Sequence, residues 1–239
     1  MRFFVDIPLQ VGDTLTLPEA VAHHWGTVLR ARPGDQAVLF NGQGGEYAVQ
    51  LLELHKRTAT VQVLGFDPVS RTARCAVTLG LVMSKGDRLD YAIQKSTELG
   101  VRQIQLLTSE RCELRLRYER DQKKLSHWQQ VAVADCEQCG LNQIPTVLPP
   151  LDLPDWLVQL DSPLKLMMAP TGQQLSLPRP LPTQLALLVG PEGGLSPAEM
   201  TLAEQHGFAR WQLGHRVLRT ETAPVVALSV LQAAEWLGG

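Results

Sequence analysis

The chain has 239 residues, 44% of them hydrophobic and 19% charged, with a formal net charge of −2. That length can bury one large core or two modest ones, and the balance is that of an ordinary globular protein, neither a polycation nor a disordered tail. Four cysteines are too few for a disulfide scaffold, no apolar run reaches membrane-spanning length, and the opening MRFFVDIPLQ lacks a signal-peptide core, so a cytoplasmic, reducing setting with no membrane is expected.

Residues 1–70 read as a small β domain. Residues 2–7 and 13–17 alternate as strands, and 18–29 reads as a helix that carries His23 and His24, one of which could be buried. Arg32-Pro33-Gly34-Asp35 is a turn, 36–40 a strand and 41–45 a hairpin loop. Residues 46–54 and 58–64 complete a meander suited to a small barrel. Arg30 and Arg32 flank the turn near His23. Such cations either meet phosphates and bases or face the negative end of a helix dipole. Residues 66–74 are polar and read as a linker, so a second domain is expected over 71–239.

That domain begins with an apolar strand at 75–82. A loop at 83–87 holds Lys85, a helix spans 88–99 and a strand 101–107. This is a β-α-β unit, which implies a parallel sheet. Lys95 and Glu98 meet on the helix surface, either as a plain ion pair or as a positioned pair beside a substrate. Arg111, Arg115, Arg117, Arg120, Lys123 and Lys124 then crowd a short window. Residues 71–124 carry 12 Lys and Arg against 7 Asp and Glu, whereas 125–205 carry 2 against 8. That asymmetry permits a basic face for a nucleic acid and equally describes a solvated helix surface.

A helix over 124–139 ends in Cys136-Glu137-Gln138-Cys139. Such a CxxC invites a zinc or a redox reading. No second Cys/His pair lies at metal spacing, however, and the motif sits at a helix end rather than a helix start, so no metal is expected. Residues 145–154 hold four prolines and read as a connector. Residues 156–160 read as a short helix, and 164–169 as a strand capped by Pro170-Thr171-Gly172.

Residues 185–189 form a strand-length apolar run that stops at Gly190-Pro191-Glu192-Gly193-Gly194. Ser196, Pro197 and Glu199 follow as a capping box, which makes the order strand, glycine turn, helix. The helix should end at Gly207. A strand over 209–213 leads to a second loop, 214–222, and Pro224 begins a last helix that is nearly all apolar and therefore buried. Ligands of open α/β sheets bind beyond the carboxyl ends of strands. GPEGG alone would also fit a phosphate-binding turn, but the GxGxxG and GxxxxGK[ST] signatures are absent.

GPEGG followed by LG-x-R-VLR-TETA resembles the SPOUT class of methyltransferases. More closely, it resembles the family of small-subunit ribosomal RNA uridine-N3 methyltransferases (RsmE). HHWGTVLRARPGD, MSKGDRLDYAIQKSTELGV, SERC and EQCG are similar to that family's text at the same places, so the resemblance covers nearly the whole chain. Leu141 departs from it where an arginine is usual, and His215 where a proline is common. The implied fold is α/β: a SPOUT-type trefoil-knotted parallel sheet with helices on both faces, preceded by an N-terminal PUA-like, RNA-binding β-barrel. The implied activity is S-adenosylmethionine-dependent methylation of N3 of a specific uridine in 16S ribosomal RNA, within the small subunit, by a homodimer.

The resemblance also implies sites. The cofactor would meet Ala169, Pro170, Gly190, Pro191, Glu192, Gly193, Leu213, Gly214, Val217, Leu218, Thr220, Thr222 and Ala223. RNA would meet Arg2, His23, Arg30, Arg32, Lys85, Lys95 and Arg111. Arg219 is the candidate cation for a deprotonated uracil, with Glu221 orienting it or contacting the cofactor; alternatively the two form a structural ion pair. Two further function classes stay open: an RNA-binding factor without catalysis, and a phosphate-binding regulatory domain.

Overall fold

The computed structural model describes residues 1–112, 114 and 122–237. Arg115, Arg117 and Arg120 of the expected basic run lie outside the described residues. The chain divides into two compact units: Met1–Thr72 with Cys136–Ile144, and Ala73–Asp135 with Pro145–Gly239. The EQCG segment, which the sequence places in the second domain, therefore belongs to the first unit.

The first unit is built on a five-stranded sheet in the order β1-β3-β4-β5-β2. Its strands are β1 (Arg2–Phe4), β2 (Thr14–Thr16), β3 (Gln36–Phe40), β4 (Glu46–Leu54) and β5 (Ala59–Asp67). All pairings are antiparallel except that of β1 with β3. Alternation sends Leu39, Val49, Leu51, Val61 and Val63 into one core with Phe3 and Trp25. Helix α1 (Glu19–His23) continues as a π-helical turn, His24–Val28, which buries Trp25. His23 and His24 both stay exposed, so neither is the buried one the sequence allowed.

Arg2 was expected at RNA but is taken up by the fold. Its guanidinium pairs with Glu46, donates to Asn142 Oδ1 at 2.6 Å and lies 4.8 Å over the Phe40 ring. Burial pushes the Glu46 carboxyl up, but hydrogen bonds from Arg71 and Arg2 outweigh it and hold the carboxyl below the usual range. Leu141, 7% exposed, packs with Phe40 and Cys136. An apolar side chain at this point is thus explained by the packing.

The second unit holds a six-stranded, all-parallel sheet in the order β11-β9-β10-β6-β7-β8. The strands are β6 (Ala76–Val82), β7 (Gln103–Thr108), β8 (Thr146–Asp152), β9 (Lys165–Gln173), β10 (Gln184–Val189) and β11 (Ala209–Trp211). The helices are α2 (Asp87–Glu98), α3 (Gln122–Cys139), α4 (Leu153–Gln159), α5 (Pro197–Gln205) and α6 (Thr222–Leu237). Crossovers of the usual right hand would place α2 and α3 on one face, because β6→β7→β8 steps one way along the sheet. They would place α4 and α5 on the other, because β8→β9 and β10→β11 step back. The α4–α5 contacts agree with that division, and α6 packs against α2.

Residues 146–152 form an edge strand where a connector was expected. Pro149 and Pro150 fit because an edge strand can lose amide donors without breaking an inner ladder. The core between the faces holds Leu79, Leu81, Ile93, Ile104, Leu106, Leu187, Leu188 and Trp211.

Candidate functional site

Every strand of the second unit is parallel, so the carboxyl ends all leave the sheet at one edge. The strand order sets the ends of β11, β9 and β10 side by side. The first of the three loops grows from β9. Between Met167 and Gln173 neither neighbour is in register with β9, which lets Pro170 sit inside the strand. Contact with β11 resumes where Gln212 N donates to Gln173 O at 2.9 Å. A Cβ on Gly172 would stand 2.8 Å from Arg210 O and 2.9 Å from Arg210 C, so only glycine lets these main chains touch. Ala169 is buried and Pro170 exposed at the head of this stretch.

The second loop is the glycine turn after β10. Gly194, in the left-handed region with φ of 67°, donates to Pro191 O at 2.8 Å and closes it. Pro191 is buried, whereas Glu192 and Gly193 are exposed. Among the described residues no acceptor meets the amides of Glu192 and Gly193. The chain then enters α5 through the expected capping box: Glu199 N donates to Ser196 Oγ at 3.3 Å, and Ser196 N to Glu199 Oε2 at 2.8 Å.

The third loop follows β11. Leu213 and Leu218 are half-buried, Gly214 is exposed and Val217 is 80% exposed. Arg219 is exposed, Thr220 is only 6% exposed and Glu221 is half-buried. Thr222 N and Ala223 N both donate to Arg219 O at 2.9 Å, so a fixed backbone turn carries the free guanidinium. Among the described residues neither Arg219 nor Glu221 has an ion pair, so the loop ion pair is not formed.

Neighbouring loops are tied to the glycine turn. Arg111 Nη1 donates to Gly193 O at 2.8 Å, and Glu110 N donates to Glu199 Oε1 at 2.7 Å. Arg88 pairs with Glu192 at 3.0 Å. Lys85 is exposed in the loop after β6. Sequence reasoning missed Arg88 altogether and saw Glu199 only as a cap. The capping-box spacing was the one signal that could have marked Glu199.

Of the remaining expected RNA contacts, one lies on a helix of this unit and three belong to the first unit. Lys95 pairs with Glu98 in the last turns of α2. That helix starts at the carboxyl end of β6 and runs back about 18 Å, so Lys95 is carried away from the loops. Beside it lies Asp135, 4% exposed, whose Oδ1 accepts from Gln94 Nε2 at 3.2 Å while Oδ2 has no partner among the described residues. Burial pushes its carboxyl up to about 6; Gln94 and Lys95 oppose this and Glu98 adds to it. His23, Arg30 and Arg32 are exposed on the first unit, Arg30 with φ of 57°.

Comparison with known proteins matches this architecture at both levels. The RNA methyltransferase domain family matches residues 71–232, and the RNA methyltransferase PUA domain matches residues 17–64. The ribosomal RNA small subunit methyltransferase E of Buchnera aphidicola (subsp. Schizaphis graminum) is 31% identical over 97% of this chain and 95% of its own. That of Synechocystis is 33% identical over 92% and 73%. Among solved structures, a Legionella pneumophila methyltransferase with bound SAM superposes with a TM-score of 0.92 at 38% identity, covering 98% of this chain and 97% of that one. The Neisseria gonorrhoeae ribosomal RNA small subunit methyltransferase E, bound to S-adenosyl methionine, does so at 0.91 and 37%, covering 97% and 96%. With both domains matched in order and the Buchnera relative 31% identical over 95% of its own length, the chain belongs to the RNA methyltransferase family that comprises the ribosomal RNA small subunit methyltransferases E.

Proposed function

We propose that this protein transfers a methyl group from S-adenosylmethionine to N3 of a uridine in 16S ribosomal RNA. The observation that carries the proposal is the adjacency of three loops at the carboxyl ends of β9, β10 and β11. Each contains residues expected at a cofactor. These residues fit an adenosine: the amides of Glu192 and Gly193 are unused donors, and the turn they belong to is exposed. Buried Ala169, Pro191 and Ala223 offer apolar lining, while the backbone of residues 213–222 offers further polar groups.

When bound, S-adenosylmethionine supplies a methyl on a positively charged sulfur, already a strong electrophile. The protein's share is to orient and to stabilise charge. Loss of the imide proton from uracil N3 leaves negative charge on the flanking carbonyl oxygens. Arg219 is the cation offered to them, exposed and, among the described residues, without an ion pair, on a backbone held by two hydrogen bonds. Of the two roles expected of Glu221, orienting Arg219 or contacting the cofactor, the second is kept, because among the described residues it makes no ion pair with Arg219. The target base must be unpaired or extruded, because pairing covers N3.

The first unit is assigned to RNA through exposed His23, Arg30 and Arg32. Arg2 is withdrawn from that role, since both its Nη groups are engaged within the first unit, by Glu46 and Asn142, and its Nε is buried. The proposal includes a C-terminal trefoil knot, a homodimer that completes the pocket, a cytoplasmic setting and no metal. Its support is the likeness to relatives matched over nearly their whole length. Incubation with labelled cofactor and undermodified small-subunit RNA, followed by nucleoside mass spectrometry, should yield 3-methyluridine. RNA binding without methyl transfer would instead favour the non-catalytic alternative.

A further inference from the structure

We propose that Glu199 and Arg111 are positioning residues that lock the glycine turn after β10 to the loop after β7. This deepens the cofactor-binding reading above and rests on it. A capping box uses one carboxylate oxygen, and here Oε2 of Glu199 fills that role by accepting from Ser196 N. Its other oxygen, Oε1, reaches outside the helix to Glu110 N at 2.7 Å. The next residue along, Arg111, grips the other end of the same segment through Gly193 O at 2.8 Å. Its Cδ and Cβ lie 3.5 and 3.6 Å from where a Cβ on Gly193 would stand, so the stem lies flat across the turn.

Consecutive residues of one loop thus hold both ends of residues 193–199. The peptide plane that Arg111 grips also carries Gly194 N–H, which closes the turn on Pro191 O. Fixing that plane fixes its neighbours, whose amides at Glu192 and Gly193 are the unused donors. The exposed Arg88–Glu192 pair adds little to this, being open to solvent on both sides. Arg111 therefore spends its charge on the cofactor turn and not on RNA.

The test uses the full-length protein. Hydrogen exchange is measured over residues 190–196 without cofactor, and S-adenosylmethionine is titrated without RNA. Arg111→Met and Glu199→Gln should each speed exchange in the turn and raise the cofactor Kd about tenfold, the expected effect of losing a charge-assisted hydrogen bond. Ser196→Ala removes the cap oxygen and leaves the bridge to Glu110, so its cofactor Kd should stay near wild type. Wild-type exchange in both bridge variants would overturn the proposal. So would an Arg111→Met protein that keeps its cofactor Kd and loses only RNA binding. A wild-type protein that failed to bind S-adenosylmethionine would refute the methyl-transfer reading instead, and the exchange rates would still judge the lock.

Discussion

Gly172→Ala probes the point at which β9 and β11 meet. The added methyl would stand 2.8 Å from Arg210 O, 2.9 Å from Arg210 C and 3.1 Å from Gln212 N. All three are main-chain atoms, so no flexible side chain can swing away and the strands themselves must part. Overpacking of this kind costs about 1–3 kcal/mol, and a rigid backbone neighbour argues for the upper half of that range. At about 2–4 °C per kcal/mol for a chain of this size, the melting temperature should fall by about 5–10 °C. The displaced strand leads into the loop that carries Arg219, so cofactor affinity should fall as well. Thermal unfolding and cofactor titration measure both effects. Gly65→Ala is the control, because its methyl meets nothing within 4 Å and its φ is not positive. A Gly172→Ala protein that melts and binds cofactor like wild type would show that the strands do not touch there.

Arg219→Ala should keep the fold, since the side chain is exposed and, among the described residues, without an ion pair, yet lower kcat about a hundredfold or more in a methyl-transfer assay; near-normal turnover would remove Arg219 from the chemistry. Asp135 has a folded-state pKa raised to about 6 from 3.8, so its proton is held more tightly in the folded protein. Stability should fall as pH rises from about 4 to 6, by up to about 3 kcal/mol. Asp135→Asn keeps an acceptor for Gln94 and should flatten that slope in pH-dependent melts; an unchanged slope would place the titration elsewhere. Light scattering at micromolar concentration should report a dimer, and a monomer would refute that part of the proposal. Dialysis against a chelator should leave cofactor affinity unchanged, whereas a loss would reveal a required metal.

Local signals made the site legible and non-local ones hid the rest. Residues 185–199 could be read as strand, turn and helix because each step is written in adjacent residues: an apolar run, three glycines, then a capping box. The structure reproduces that box bond for bond. Pro149 and Pro150 argued against a strand only because nothing in the sequence marks an edge, where prolines are tolerated. Arg2 looked like an RNA contact because its partner, Glu46, lies 44 residues away. Lys95 lies about 12 Å along α2 from its start beside the loops, and residue spacing alone cannot show which end of a helix faces them. The assignment of residues 136–144 to the first unit is a long-range packing event around Phe40, invisible to any local pattern. The bridging role of Glu199 needed coordinates too, because its second oxygen bonds Glu110, 89 positions earlier.

The most direct measurement is nucleoside mass spectrometry of 16S ribosomal RNA from a strain lacking this protein, with and without the wild-type gene restored. Disappearance of a single 3-methyluridine, and its return with the wild-type chain but not with Arg219→Ala, is the predicted result. RNA with its 3-methyluridine intact, or missing a methyl from some other atom, would contradict it.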